Sequence, residues 1–144
     1  MLLKSPRLYH QRIIILFAIL FMNSVVAFSQ NLIDHNKEYI IKYMKENHRE
    51  MSFNNVINKK YTYLKYSDNS DNQTLLFFLD QNEVCNSIRM ICNFRIKNEK
   101  INEFNTIHKS IGKNKWLDRR DGKNYFIEMK EEKWSFIITI EPEK

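Results

Sequence analysis

The sequence predicts an α+β fold, with two helices packed on one face of an antiparallel sheet, and three observations lead there. Two stretches, 32–48 and 99–111, place apolar residues at helical spacing. Most of the chain after each of them alternates apolar with polar residues between short turn signals, as half-buried strands do. The pattern of 73–90 also returns at 123–140 without a gap: Leu75 falls on Tyr125, Phe77 on Ile127, Leu79 on Met129, Val84 on Trp134 and Ile88 on Ile138. An echo at a fixed offset points to one unit used twice. The expected architecture is two α-βββ repeats, 32–93 and 98–141, forming one sheet of about six strands after an N-terminal signal peptide.

The leader comes first. Lys4, Arg7 and Arg12 form a basic head, an apolar run follows over 13–22, and Ala27 and Ser29 supply small residues at a small-x-small spacing. That is the order of a secretory signal peptide over 1–29. The chain is thus expected to be exported, periplasmic or extracellular, with cleavage near Ser29–Gln30. A spanning helix needs about 20 apolar residues, so membrane contact is expected to be transient, and a retained anchor is the rival reading.

Removing the leader changes the electrostatics. The 23 Lys and Arg against 17 Asp and Glu become 20 against 17, and the net charge falls from +6 to +3. A surplus that small gives no footing for nucleic-acid binding. The remaining 115 residues, 30–144, make one domain, with ten Phe, seven Tyr and two Trp in the full chain to build its core.

The elements follow in order. Helix one spans 32–48 with Ile33, Ile40, Tyr43 and Met44 inward and Asn31 as its cap. Strands are expected over 60–67, 73–80 and 84–93, joined by a polar loop at 68–72 and a turn at Gln81–Asn82. Helix two spans 99–111, with a stripe of Ile101, Phe104, Ile107, His108 and Ile111, Asn98 as cap and Gly112 at its C′ position. Strands over 115–119 and 124–130 flank Asp121–Gly122, a strong two-residue hairpin signal, and a last strand spans 134–140.

Alternation assigns the faces. Tyr125, Ile127, Met129, Trp134, Phe136, Ile138 and Ile140 are expected under the helices, together with Leu75, Phe77, Leu79, Val84, Ile88 and Met90. The opposite face should be polar, yet it receives Leu64, Tyr66, Leu76, Phe78, Cys85, Ile91, Leu117, Phe126 and Ile137, interrupted by Arg89, Glu128 and Thr139. A contiguous apolar patch marks an interface. The candidate interaction surface is Leu64, Tyr66, Leu76, Phe78, Arg89, Leu117, Arg119, Phe126 and Ile137, with Leu76, Phe78 and Phe126 as anchors and Arg89 and Arg119 at the rim. A tail, the stretch 49–58 or a second copy of the chain would also cover it.

No catalytic signature appears: no GxGxxG, Walker loop, GxSxG or HExxH. No catalytic, cofactor or metal residue is assigned. A Cys85–His108 nucleophile pair has no local support. The loop 68–72 lacks the central Gly and distal Glu of a calcium loop. Arg119, Arg120 and Lys123 read as a charged turn or an anion grip. Cys85 and Cys92 stand about 23 Å apart if one strand carries both, so they are expected as free buried thiols.

The tandem helix-and-strand order resembles that of small exported binding modules such as the PepSY-type domains and beta-lactamase inhibitory proteins. The resemblance is one of element order, and no residue roles pass through it. The first expectation, carried by the apolar outer face, is a non-enzymatic exported protein that uses this face and the hairpin loops to meet a protein or cell-envelope partner, inhibitor- or immunity-like being one form and a homodimer through the same face another. The alternative is a small ligand carrier or enzyme with a pocket between sheet and helices.

Overall fold

The computed structural model of the protein describes residues 31–54 and 62–143; the leader and its cleavage site lie outside them. Helix α1 (Lys37–Asn47) is followed by β1 (Met51–Asn54), β2 (Tyr63–Asp68), β3 (Gln73–Leu79) and β4 (Cys85–Cys92). A 3-10 turn (Phe94–Ile96) leads into α2 (Lys97–Ile107), then β5 (Lys109–Gly112), β6 (Lys115–Arg120), β7 (Lys123–Glu131) and β8 (Phe136–Pro142). All eight strands form one antiparallel sheet in the order β1-β2-β3-β4-β8-β7-β6-β5. The α+β class stands. The six-strand sheet and the two α-βββ repeats do not, because four strands follow each helix.

The additional strands, β1 and β5, are four residues long and lie at the two edges of the sheet. Each starts soon after a helix ends and pairs with the next strand, which gives its backbone groups partners that a coil would leave to water. The stretch expected to drape over the outer face, 49–58, therefore contributes an edge strand over 51–54. Helix α2 also stops earlier than its stripe suggests. His108 is already extended, and Gly112 sits in β5 rather than at a helix terminus. The helix starts move as well. Asn36, not Asn31, caps α1 by accepting from the Tyr39 N–H at 2.9 Å, and Asn93 accepts from the Arg95 N–H at 3.0 Å to open the turn before α2.

Register fixes the faces. Leu75, Phe77, Ile88, Met90, Ile138, Ile140, Ile127 and Met129 stand opposite one another across β3, β4, β8 and β7, and all are buried. Ile40 and Met44 of α1 and Phe104 of α2 join that core, with Phe104 packed 5.4 Å from Trp116. The Asp121–Gly122 turn is as expected. Both residues have positive φ, 50° and 77°, as a type I′ hairpin demands.

Five face assignments are corrected. Leu64 pairs with Phe77 and Tyr66 with Leu75, so both lie under the helices, each 4 % exposed. Burial pushes the Tyr66 phenol up to about 12. A bulge between Phe78 and Leu79 sets Cys85 opposite Leu79, turning Cys85 inward and leaving Val84 in a bridge to Asn36. Trp134 is in the β7–β8 turn and 79 % exposed, because β8 begins only at Phe136.

The segment before α1 is held as tightly as any strand. Leu32 and Ile33 are fully buried. Asn31 donates to Asp118 at 3.1 Å, Arg120 donates to the Ile33 carbonyl at 2.8 Å, and Tyr125 and Lys123 each reach Asp34 at 2.8 Å.

Ile127, at the centre of this core, is expected to lose about 2–5 kcal/mol of stability on replacement by Ala, read by chemical denaturation. Phe126→Ala, its neighbour on the opposite face, should cost distinctly less. The reverse order would mean that the two faces are exchanged.

Candidate functional site

The face turned away from the helices is built by the alternate positions of the same strands. One cross-strand row runs Lys65, Leu76, Arg89, Thr139, Glu128, Lys115, and the next runs Ser67, Thr74, Ile91, Ile137, Lys130. Phe126 stands opposite Leu117 on one side and Glu141 on the other. Seven of the nine expected surface residues meet here: Leu76, Phe78, Arg89, Leu117, Arg119, Phe126 and Ile137. Leu64 and Tyr66 belong to the core instead.

Their departure, with that of Cys85, divides the patch. One apolar group holds Leu76, Phe78, Ile91 and Ile137, with Tyr63 added 5.8 Å from Phe78. A second holds Leu117 and Phe126. Tyr63 is a residue the sequence reading left out, although its place opposite Phe78 follows once the β2–β3 register is known. The polar row passes through Leu76 itself, with Ile91 and Ile137 on one side of it and Phe78, Phe126 and Leu117 on the other. Glu128 takes Lys130 at 2.8 Å and Lys115 at 3.1 Å, and these two cations hold its carboxyl below the usual carboxylate range. The Arg89 guanidinium lies over the Phe78 ring, 5.5 Å from its centre, within cation–π distance.

Chemistry elsewhere is spent on structure. Cys85 and Cys92 are free and buried, and burial pushes both thiols up to about 12. Each is thus protonated at neutral pH, whereas a nucleophile must be a thiolate. Cys85 Sγ contacts the Ser87 carbonyl at 3.4 Å, while the His108 ring has Asp118 beside it, Nδ1 to carboxylate 3.6 Å. Asp68 closes the loop 69–72 by accepting from the Asn72 and Gln73 N–H groups at 2.9 and 3.0 Å. Among the described residues no group of three or more His, Cys, Asp or Glu is placed to hold a metal. The hairpin cations separate: Arg119 faces outward, Arg120 lies over the Tyr125 ring, and Lys123 pairs with Asp34. Asp34 is held below its ordinary value, the Lys123 hydrogen bond being the main cause.

No protein-family model, no curated protein and no solved structure matches the chain.

Two histidines give the fold a pH dependence. Burial is the first cause that keeps His108 and His35 below the ordinary histidine value, outweighing the pull of Asp118 on His108 and of Asp34 on His35. The folded state therefore favours neutral rings, while the unfolded chain takes up protons below about pH 6.5. Their stabilisation is complete above that pH and is lost as pH falls through the depressed folded values. The unfolding midpoint should drop between about pH 7.5 and pH 5, and His108→Asn should flatten the drop. An unchanged slope in the variant would remove His108 as its source.

Proposed function

We propose that the chain is a small exported protein that acts by binding rather than catalysis, presenting the outer face of its sheet to a protein or cell-envelope partner. An inhibitor or immunity protein directed at a secreted enzyme is one form of this activity. The observation that carries the reading is the unequal treatment of the two faces. Both helices lie across one face, and the other keeps Leu76, Phe78, Ile91, Ile137, Leu117 and Phe126 at its surface, with Phe126 40 % and Ile91 36 % exposed. Apolar groups on an open face are the usual core of a docking surface; here Arg119 lies toward its rim, while Arg89 stands in the central row.

The layer between sheet and helices supports the same choice over an internal pocket. Trp116, Tyr125, Phe77, Phe104 and Phe136 are fully buried there, and large side chains occupy the space that a carried ligand would need. Export is supported by the leader over 1–29, its basic head and its small residues before Gln30. Cleavage there leaves 30–144 as the working domain.

Phe78→Asp with Phe126→Asp should leave the circular-dichroism spectrum and the unfolding midpoint close to those of the parent and abolish capture of the partner from the envelope fraction. Unfolding of the double variant would place those residues in the core and remove the reading. Mass analysis of the exported protein should give a product beginning at Gln30; a cytosolic product still beginning at Met1 would withdraw the compartment.

A further inference from the structure

The outer face is set apart electrically from the rest of the molecule. Six of the 23 Lys and Arg lie outside the described residues (Lys4, Arg7, Arg12, Lys59, Lys60 and Lys144), which leaves 17 against 17 Asp and Glu. The described residues are therefore neutral as a whole. The outward strand positions nevertheless hold Lys65, Arg89, Lys109, Lys115, Arg119 and Lys130 against only Glu128 and Glu141. The face carries a surplus of four positive charges, and the remainder, eleven cations against fifteen acids, carries the matching deficit. Glu128 is taken up by Lys115 and Lys130. Among the described residues, no carboxylate lies within salt-bridge distance of Lys65, Arg89, Lys109 or Arg119.

We infer that this face docks an acidic, partly apolar patch on another protein. The inference rests on the binding role proposed above and names the chemistry of the partner. Charge complementarity selects the sign, since like charges brought together across an interface cost several kcal/mol. The same argument opposes a second copy meeting it face to face. A membrane surface is disfavoured by shape. Leu76, Phe78, Leu117 and Ile137 are half-buried among their strand neighbours, which leaves only Phe126 and Ile91 exposed among charges, and a bilayer is entered by a continuous projecting apolar face. Size agrees with a protein partner: eight strands about 4.8 Å apart and about six residues long at about 3.3 Å each give a face of roughly 700 Å², close to the about 800 Å² per partner of a standard interface. Arg89 supplies a specific contact. Its guanidinium lies over the Phe78 ring with no carboxylate of the described residues in salt-bridge distance, and a guanidinium fork suits a carboxylate.

The test uses the exported chain, an immobilised glutamate–tyrosine copolymer as an acidic polypeptide probe, and phosphatidylglycerol vesicles as the lipid alternative. The parent should bind the copolymer, less as salt is raised. K65E/R89E/R119E should weaken that binding tenfold or more, and the neutral K65Q/R89Q/R119Q should weaken it to a lesser degree while guarding against a folding defect in the reversals. K42E/K45E/R95E, which reverses as many exposed charges away from the face, should stay within twofold of the parent. Equal losses in the two charge-reversal sets would overturn the inference, as would no copolymer binding by the parent, or stronger binding to the vesicles with the same face dependence. The two levels separate cleanly. If Phe78→Asp with Phe126→Asp loses its partner while K65E/R89E/R119E binds the copolymer as the parent does, the face is functional and its preference for acid is refuted. If the aspartate variant keeps its partner, the binding role itself fails.

Discussion

The pairing of β4 with β8 is the contact on which the rest of the molecule depends. Each half of the chain ends in one of these strands, and Ile88, Met90 and Cys92 meet Ile140, Ile138 and Phe136 along the seam. Separately, each half would be a four-stranded meander with one helix. A helix with its side chains is about 10–12 Å across, whereas four strands span about 14 Å between their outer axes before side chains are added. Neither helix would cover its own sheet. Joined at the seam, the two inner faces become one surface and the two helices share it. The remaining gap is closed by the segment before α1, where Leu32 and Ile33 are buried outright. That segment belongs to the first half and bonds its backbone to Cys85 there, yet it also makes polar contacts with Asp118, Arg120, Lys123 and Tyr125 of the second. The halves are thus tied twice, through a ladder and through a polar clasp at one end.

What the sequence made legible is the strand interior. Wherever a strand is long and strictly alternating, as in β3, β7 and β8, the inward set of Leu75, Phe77 and Leu79, of Tyr125, Ile127 and Met129, and of Phe136, Ile138 and Ile140 can be read directly. The failures occur where alternation has to be extended through a turn. Alternation places Leu64 on the outer face beside Leu117, but pairing sets Leu64 opposite Phe77 and Trp116 opposite Ile127, so Leu64 corresponds to the buried Trp116. A one-residue slip inverts every side chain of a strand. The bulge beside Leu79 does the same to Cys85, and no residue pattern announces it. The edge strands Met51–Asn54 and Lys109–Gly112 are too short for a period to appear. Nor does any local signal reveal that Asn31 ties down a strap rather than capping a helix, because its partner, Asp118, is 87 residues away.

The same slip explains why the candidate surface is smaller and more charged than the sequence suggested. Removing Leu64, Tyr66 and Cys85 takes three large or apolar groups out of it, and the true neighbours of Leu76 and Phe78 are Lys65, Arg89 and Tyr63. The helices settle on the face where apolar rows run unbroken across the seam. The other face has its central row occupied by Lys65, Arg89, Thr139 and Glu128, and charged groups there would lose hydration under a helix without gaining partners. Charges in this row, with Lys109, Arg119, Lys130 and Glu141 in the flanking ones, keep that face open.

Sheet proteins meet partners through either an edge or a face, and the edges of this sheet are poorly suited to the task. Adding a strand requires a long, flat row of unpaired backbone groups. Here each edge offers four residues, and β5 also shifts register between Ser110 and Gly112, a kink that spoils further pairing. Short, irregular edges are how natural sheets avoid unwanted extension. With the edges blunted and one face closed by helices, the basic outer face is the largest regular surface left for recognition, and its rigidity comes from the β4–β8 seam running beneath its centre.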